Sequence, residues 1–161
     1  MQPNYEVEMR LNVRTPMRDG VELSSDIYLP RGEGKFPTVL MRTPYDNNGE
    51  AMIEKGRRLA NNGYACVIQD VRGRGTSEGE FDLLAQELDD GFDAVAWSAA
   101  LPGATGEGGM YGFSYQGMAQ VFAAASGAPA LKAICPAMIA YDVYEHFAYE
   151  GGALRLELVM A

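Results

Sequence analysis

The stretch Met110-Tyr-Gly-Phe-Ser-Tyr-Gln-Gly117 constrains the fold more than any other part of this 161-residue chain. An apolar run leads into it, and an alanine-rich run, Met118 to Ser126, leads out. The pattern predicts a strand, a tight turn and a helix, with Ser114 at the join. A serine so placed is lifted above a sheet with free backbone N–H groups beside it. The G-x-S-x-G form of such a turn is imperfect here. Gly112 stands two residues before Ser114, but Gln116 takes the second glycine position and Gly117 follows it. As a nucleophile Ser114 needs a base, an orienting acid and donors for an oxyanion. Its alternative role is to cap the helix that follows. Tyr115 has a backbone N–H at the helix N-terminus, placed to stabilise an oxyanion. Its ring has simple packing as the competing role.

The rest of the chain supplies a sheet for this turn. Tyr5 to Thr15 alternates polar and apolar residues, Met17-Arg-Asp-Gly20 is turn chemistry, and Val21 to Leu29 is the partner strand. Short apolar strands follow at Pro37–Arg42 and Tyr64–Asp70, separated by a helix from Glu50 to Asn61 with Asn62-Gly63 as its stop. Leu83 to Ala99 reads as a long helix, Met110 to Phe113 as a strand, and Leu131 to Cys135 as a strand ending at Pro136. The glycine-rich Gly103–Gly109 segment and Trp97 read as a flexible connection and a packing tryptophan. Strands alternating with helices predict an α/β fold with a mostly parallel sheet covered on both faces. An antiparallel hairpin feeding that sheet suits the α/β-hydrolase layout. Tyr141 to Ala161, rich in Tyr, Glu and Leu, reads as helical and as a separate region from residues 1–140.

Composition narrows the function classes. The chain is 47% apolar and 22% charged, which fits one folded domain. Its net charge of −9 argues against nucleic acid and anionic membrane surfaces, which need clustered Lys and Arg. No run is long and apolar enough to span a membrane. The first eight residues show no basic-then-apolar signal, so the expected location is cytoplasmic, although a chain with its signal removed would read the same. Cys66 and Cys135 lie in apolar runs and read as small core residues without metal-ligand spacing; no metal or cofactor is expected.

Other segments carry weaker signals. Gly73-x-Gly75-x-x-x-Gly79 follows a strand, as in a dinucleotide loop, but its spacing is off by one and acidic residues follow. The structural reading is that Asp70 holds this loop with Arg72 and Arg74. A nucleotide-binding domain is thus a rival function, with cofactor protection against unfolding as its signature. Arg42-Thr-Pro-Tyr45 lies where loops at the C-terminal ends of parallel strands form an active-site rim. His146, the single histidine, lies in a region where a triad base is not expected, and it reads as an ordinary residue. Asp142 as triad acid meets the same objection.

Together these segments resemble the amino-terminal part of the cocaine esterase and Xaa-Pro dipeptidyl-peptidase family of serine hydrolases. The resemblance runs in order through Met17-Arg-Asp-Gly-Val-Glu-Leu23, Asp26-Ile-Tyr-Leu-Pro30, Phe36-Pro-Thr-Val-Leu40 and Arg42-Thr-Pro-Tyr45. It continues through Gly63-Tyr64, Asp70-Val-Arg-Gly-Arg-Gly75, Trp97 and Gly109 to Gly117. The family's elbow is Gly-x-Ser-Tyr-x-Gly, which this chain fits. The resemblance implies Ser114 as nucleophile, with the Tyr45 hydroxyl and the Tyr115 N–H as oxyanion hole. It implies hydrolysis of acyl esters or amides, from small molecules or peptides, through an acyl-enzyme. In this family a helical cap is inserted after the strand that follows the nucleophile helix, and the triad acid and histidine come later. The expectation is therefore an incomplete α/β-hydrolase sheet, a fragment without those two residues. The competing expectation is a non-catalytic truncated module, self-associating or paired with a complementary chain.

Overall fold

The computed structural model describes residues 5–156. Its main sheet has six strands in the order β1-β2-β4-β3-β5-β6. These are β1 (Glu6–Pro16), β2 (Glu22–Arg31), β3 (Phe36–Thr43), β4 (Ala65–Asp70), β5 (Ala104–Phe113) and β6 (Leu131–Ala137). The β1–β2 hairpin is antiparallel and joins β4 antiparallel, whereas β4, β3, β5 and β6 are mutually parallel. The expected α/β arrangement, a mostly parallel sheet entered through an antiparallel hairpin, is the one observed.

Strand alternation divides the core between the two faces. Ile27, Leu40, Val67 and Met110 pack on one face with Ala94 and Val95 of α2 (Glu87–Ala99) and Ala123 of α3 (Tyr115–Ala125). Tyr28, Met41, Cys66 and Ile68 pack on the other with Ala60 and Leu59 of α1 (Glu50–Asn61). Every residue of β4 is buried because helices cover both its faces. Each large aliphatic side chain buried here contributes roughly 1.5–3 kcal/mol. Helix α1 forms because Met52, Ile53, Gly56, Leu59 and Ala60 recur on one side of a 3.6-residue period. Glu50 in its first turn and Arg58 in its last complement the helix dipole. Among the described residues no helix is long and apolar enough to cross a membrane.

Several expectations change. Strand β5 takes in the glycine-rich segment, starting at Ala104, because it pairs with β3 on one side and β6 on the other. Helix α2 starts at Glu87 rather than Leu83, whose φ of +30° lies outside the helical range. Cys135 is exposed rather than core, since among the described residues β6 pairs with β5 alone and most of its residues are exposed. Cys66 is fully buried, and burial pushes its thiol up to about 12. The helix expected from Tyr141 is a six-residue π-helix (Val143–Ala148) followed by a small hairpin of β7 (Tyr149–Glu150) and β8 (Ala153–Leu154). The Gly151-Gly152 pair supplies that hairpin's two-residue turn. The end of that predicted helix, residues 157–161, lies outside the described residues.

Candidate active site

The turn between β5 and α3 holds Ser114 at φ +57°, ψ −125°. A non-glycine residue there stores strain of about 1–3 kcal/mol, which surrounding bonds must hold. The Ser114 N–H donates to the Ala137 carbonyl at 2.9 Å, and Met118 N–H donates to the Ser114 carbonyl at 3.0 Å. Gln120 reinforces the turn from beneath. Its Nε2 donates to the carbonyls of Gly112 and Gln116, at 3.1 and 3.0 Å, while its Oε1 accepts from Cys135 N–H at 2.8 Å. The Ser114 hydroxyl caps no helix N–H. The capping role open in the sequence is therefore not the one it plays.

The imperfect glycine pattern has a steric explanation. A Cβ on Gly112 would stand 2.4 Å from Gln116 Cβ, so the side chain at position 116 uses space that Gly112 leaves empty. The second glycine is needed at 117 instead. A Cβ there would stand 2.6 Å from Ile139 Cγ2 and 2.7 Å from the Ala137 carbonyl oxygen.

Ser114, Tyr115 and Tyr45 line one cavity of about 300 Å³, walled by Leu83, Leu84, Met118, Met138 and Ile139 among others. The wall is largely apolar. Tyr115 is the first residue of α3, and its N–H, lacking an intrahelical partner, is one of the free donors of that helix end. Tyr45 sits in the loop after β3, 65% exposed, with its N–H bonded to Thr43 Oγ1 at 3.1 Å. The three residues singled out in the sequence thus converge. His146 also lines this cavity, which the sequence did not suggest, but no hydrogen bond joins it to Ser114 among the described residues. Asp142 is occupied elsewhere: its carboxylate caps the π-helix, accepting from the N–H groups of Tyr144 and Glu145 at 2.8 Å each.

Asp70 does not pair with the arginines of its loop. Its Oδ1 accepts from Asn47 N–H at 2.8 Å and its Oδ2 from Thr76 N–H at 3.4 Å. Arg74 donates instead to the Pro44 carbonyl at 3.0 Å, and Arg72 binds Asp90 and Asp19. Asp70 and Arg74 therefore tie the 70–79 loop to the Tyr45 loop, a structural use of the glycine-rich segment. Burial pushes the Asp70 carboxyl up to about 6. The native state then holds this proton more tightly than the unfolded chain, whose carboxyl titrates near 3.8. The group's stabilisation is full below that value and is lost as pH rises through about 6. Urea unfolding of the parent and of Asp70→Asn should show their stability difference shifting against the parent across this window; a constant difference would contradict it.

Sequence reasoning missed the polar groups beneath the turn. Arg42, 0% exposed, pairs with Glu87 of α2, and its Nε donates to Gln69 Oε1 at 2.9 Å. The Tyr115 hydroxyl has two acceptors in reach, Glu87 Oε1 at 3.0 Å and the Leu83 carbonyl. Burial raises the Glu87 carboxyl, opposed by the Arg42 charge, and burial likewise raises the Tyr115 phenol. The available signal was a cation closing an apolar strand covered on both faces, where an unpaired charge is not tolerated.

Comparison with known proteins agrees with this fold. The X-Pro dipeptidyl-peptidase (S15) family model matches residues 19–161. The chain belongs to this family. It is 40% identical to the cocaine esterase of Rhodococcus sp. (strain MB1 Bresler) over 162 aligned positions, covering 98% of this chain and 28% of that protein. Among solved structures, a CocE/NonD family hydrolase from Staphylococcus aureus superposes with a TM-score of 0.80 at 25% identity, over 91% of this chain and 30% of the other. An α-amino acid ester hydrolase gives 0.71 at 30% identity, over 89% and 27%. The S15 family and these relatives are esterase- and peptidase-type hydrolases, and this chain spans just over a quarter of the length of each relative.

Proposed function

We propose that this chain carries the nucleophile and the oxyanion hole of a serine hydrolase acting on acyl esters or Xaa-Pro peptides. The observation that carries the reading is the strained Ser114, with an uncommitted hydroxyl, in one cavity with Tyr115 and Tyr45. Ser114 Oγ attacks the substrate carbonyl carbon as its proton passes to a base. The negative charge on the carbonyl oxygen is held by the Tyr115 N–H and the Tyr45 hydroxyl. The C–O or C–N bond to the leaving group breaks, the leaving group takes the proton, and an acyl-Ser114 ester remains for water to hydrolyse. Asp142 is committed to a helix cap, and His146 makes no bond to Ser114. Base and acid belong, in this reading, to polypeptide other than residues 1–161.

Fluorophosphonate labelling tests the nucleophile. The polypeptide encoded by the native gene should take one label at Ser114, located by peptide mass, and Ser114→Ala should take none. Failure of the native polypeptide to label would reject Ser114 as an activated serine. A second reading, a non-catalytic module completed by a partner chain, is favoured by the edge of β6, unpaired among the described residues, and by exposed Tyr111, Phe113 and Ile134. It predicts that residues 1–161 stay unlabelled alone and in the presence of any completing segment.

A further inference from the structure

A row of buried polar side chains crosses the sheet and ends on the oxyanion residue. Ser25 of β2, Gln69 of β4 and Arg42 of β3 are direct cross-strand partners. Thr15 Oγ1 lies 2.8 Å from Ser25 Oγ, Gln69 Nε2 donates to Ser25 Oγ at 3.2 Å, and Arg42 Nε donates to Gln69 Oε1. Arg42 then pairs with Glu87, and Glu87 meets the Tyr115 hydroxyl. All six side chains belong to buried residues.

Stability alone is a poor reason for such a row. Replacing a buried ion pair with apolar residues of similar volume is often neutral or stabilising. What distinguishes this one is its terminus. Tyr115 carries the free N–H on one side of its Cα and the anchored ring on the other. The same hydroxyl reaches the carbonyl of Leu83, whose φ is +30°, and Leu83 walls the cavity. Two residues in unfavourable backbone regions, Leu83 and Ser114, are thus held from either side of one tyrosine. Strain of this kind persists only where the surroundings over-determine the conformation.

We propose that Glu87 and Arg42 are positioning residues which, through the Tyr115 hydroxyl, fix the direction of the Tyr115 backbone N–H toward the oxyanion site. Neither touches the substrate. This rests on the reading of Ser114 as nucleophile and the Tyr115 N–H as oxyanion donor. An N–H aimed wrongly by a fraction of an ångström loses its hold on the transition state while leaving ground-state binding almost intact. The effect therefore falls on kcat rather than KM.

The test uses the polypeptide encoded by the native gene, with p-nitrophenyl acyl esters as substrate and the fluorophosphonate labelling rate as second readout. Tyr115→Phe should lower kcat and the labelling rate about 10- to 100-fold, with KM within about threefold of the parent. Glu87→Gln has one acceptor oxygen where Glu87 serves both Arg42 and the phenol, so it should lose part of kcat, less than Tyr115→Phe does. The double variant Arg42→Met/Glu87→Leu should fold and lose part of kcat, and adding Tyr115→Phe to it should cost less than Tyr115→Phe costs the parent, since only the bond to the Leu83 carbonyl is left to lose. A folded Tyr115→Phe with parental kcat and labelling rate overturns the inference, as does a folded Arg42→Met/Glu87→Leu with parental kcat. If Ser114→Ala abolishes activity while these variants keep it, this inference alone fails. If the native polypeptide neither turns over nor labels, the nucleophile reading fails and takes this inference with it.

Discussion

Arg42→Met should destabilise the fold by about 3–5 kcal/mol, the cost of leaving a buried charge without its partner. Arg42 is 0% exposed, and the removed guanidinium serves two groups. Glu87 loses its ion pair and Gln69 Oε1 loses its donor. Asp90 is affected less, since Arg42 Nη2 lies 3.7 Å from it and its close bonds, at 2.6 and 3.0 Å, come from Arg72. The loss should depend on pH. The Arg42 charge holds the Glu87 carboxyl down against burial, so removing it raises that group further. At low pH Glu87 can then take a proton and cease to be a buried charge. The gap between parent and variant in urea unfolding should be wider at pH 8 than at pH 5. A gap under about 1 kcal/mol at pH 8 would mean that the pair is solvated in a way its burial denies.

The second large effect is expected at the turn itself. Gly112→Ala places a Cβ 2.4 Å from Gln116 Cβ and 2.7 Å from Gln116 Oε1, on a backbone with φ +151°. Overpacking of this kind costs about 1–3 kcal/mol, and the backbone strain adds about 1 kcal/mol or more. The contact can open only if α3 slides away from β5, and α3 carries Tyr115 and follows Ser114 directly. Displacing Ser114 by about 1 Å should slow its labelling about 100-fold. Adding Gln116→Gly removes the atoms that clash. It should restore labelling toward the parent, though glycine in a helix costs about 1 kcal/mol of stability. Equal labelling rates in Gly112→Ala and the parent would show that the steric exchange between positions 112 and 116 is not what shapes this turn.

The elements that could be read from sequence were those with strong local signals. Helix α1 has the predicted limits, Glu50 and Asn61, because its apolar spacing and terminal residues agree. The hairpin turn at Asp19-Gly20 and the strand–turn–helix around Ser114 were equally plain. The failures are tertiary overrides. Glycines argue against a strand by propensity, yet β5 runs through them because it has a neighbour on each side. Cys135 looked like core because its run is apolar, but among the described residues β6 has a neighbour on one side only. Asp70 and the arginines near it looked like mutual partners by charge, while the fold bonds them elsewhere. Ser114, Tyr115 and Tyr45, which line one cavity, were singled out from the ordered motifs. Arg42 and Glu87 were not, because 45 residues separate them and α2 brings them together only when the sheet has formed.

The polar row through Ser25, Gln69 and Arg42 also bears on how the strands find one another. Sliding β3 by one residue against β4 would turn every β3 side chain to the opposite face. Apolar positions tolerate such slippage moderately well here, since Leu40 and Met41 are both large and both buried. Arg42 does not. A slip would carry its guanidinium away from Gln69 and Glu87 toward the α1 side and strand three polar groups in apolar surroundings. Mispaired sheets are therefore penalised by charge where the hydrophobic pattern barely discriminates. The penalty applies as soon as β3 and β4 meet, before the turn that bears Ser114 needs to be in place.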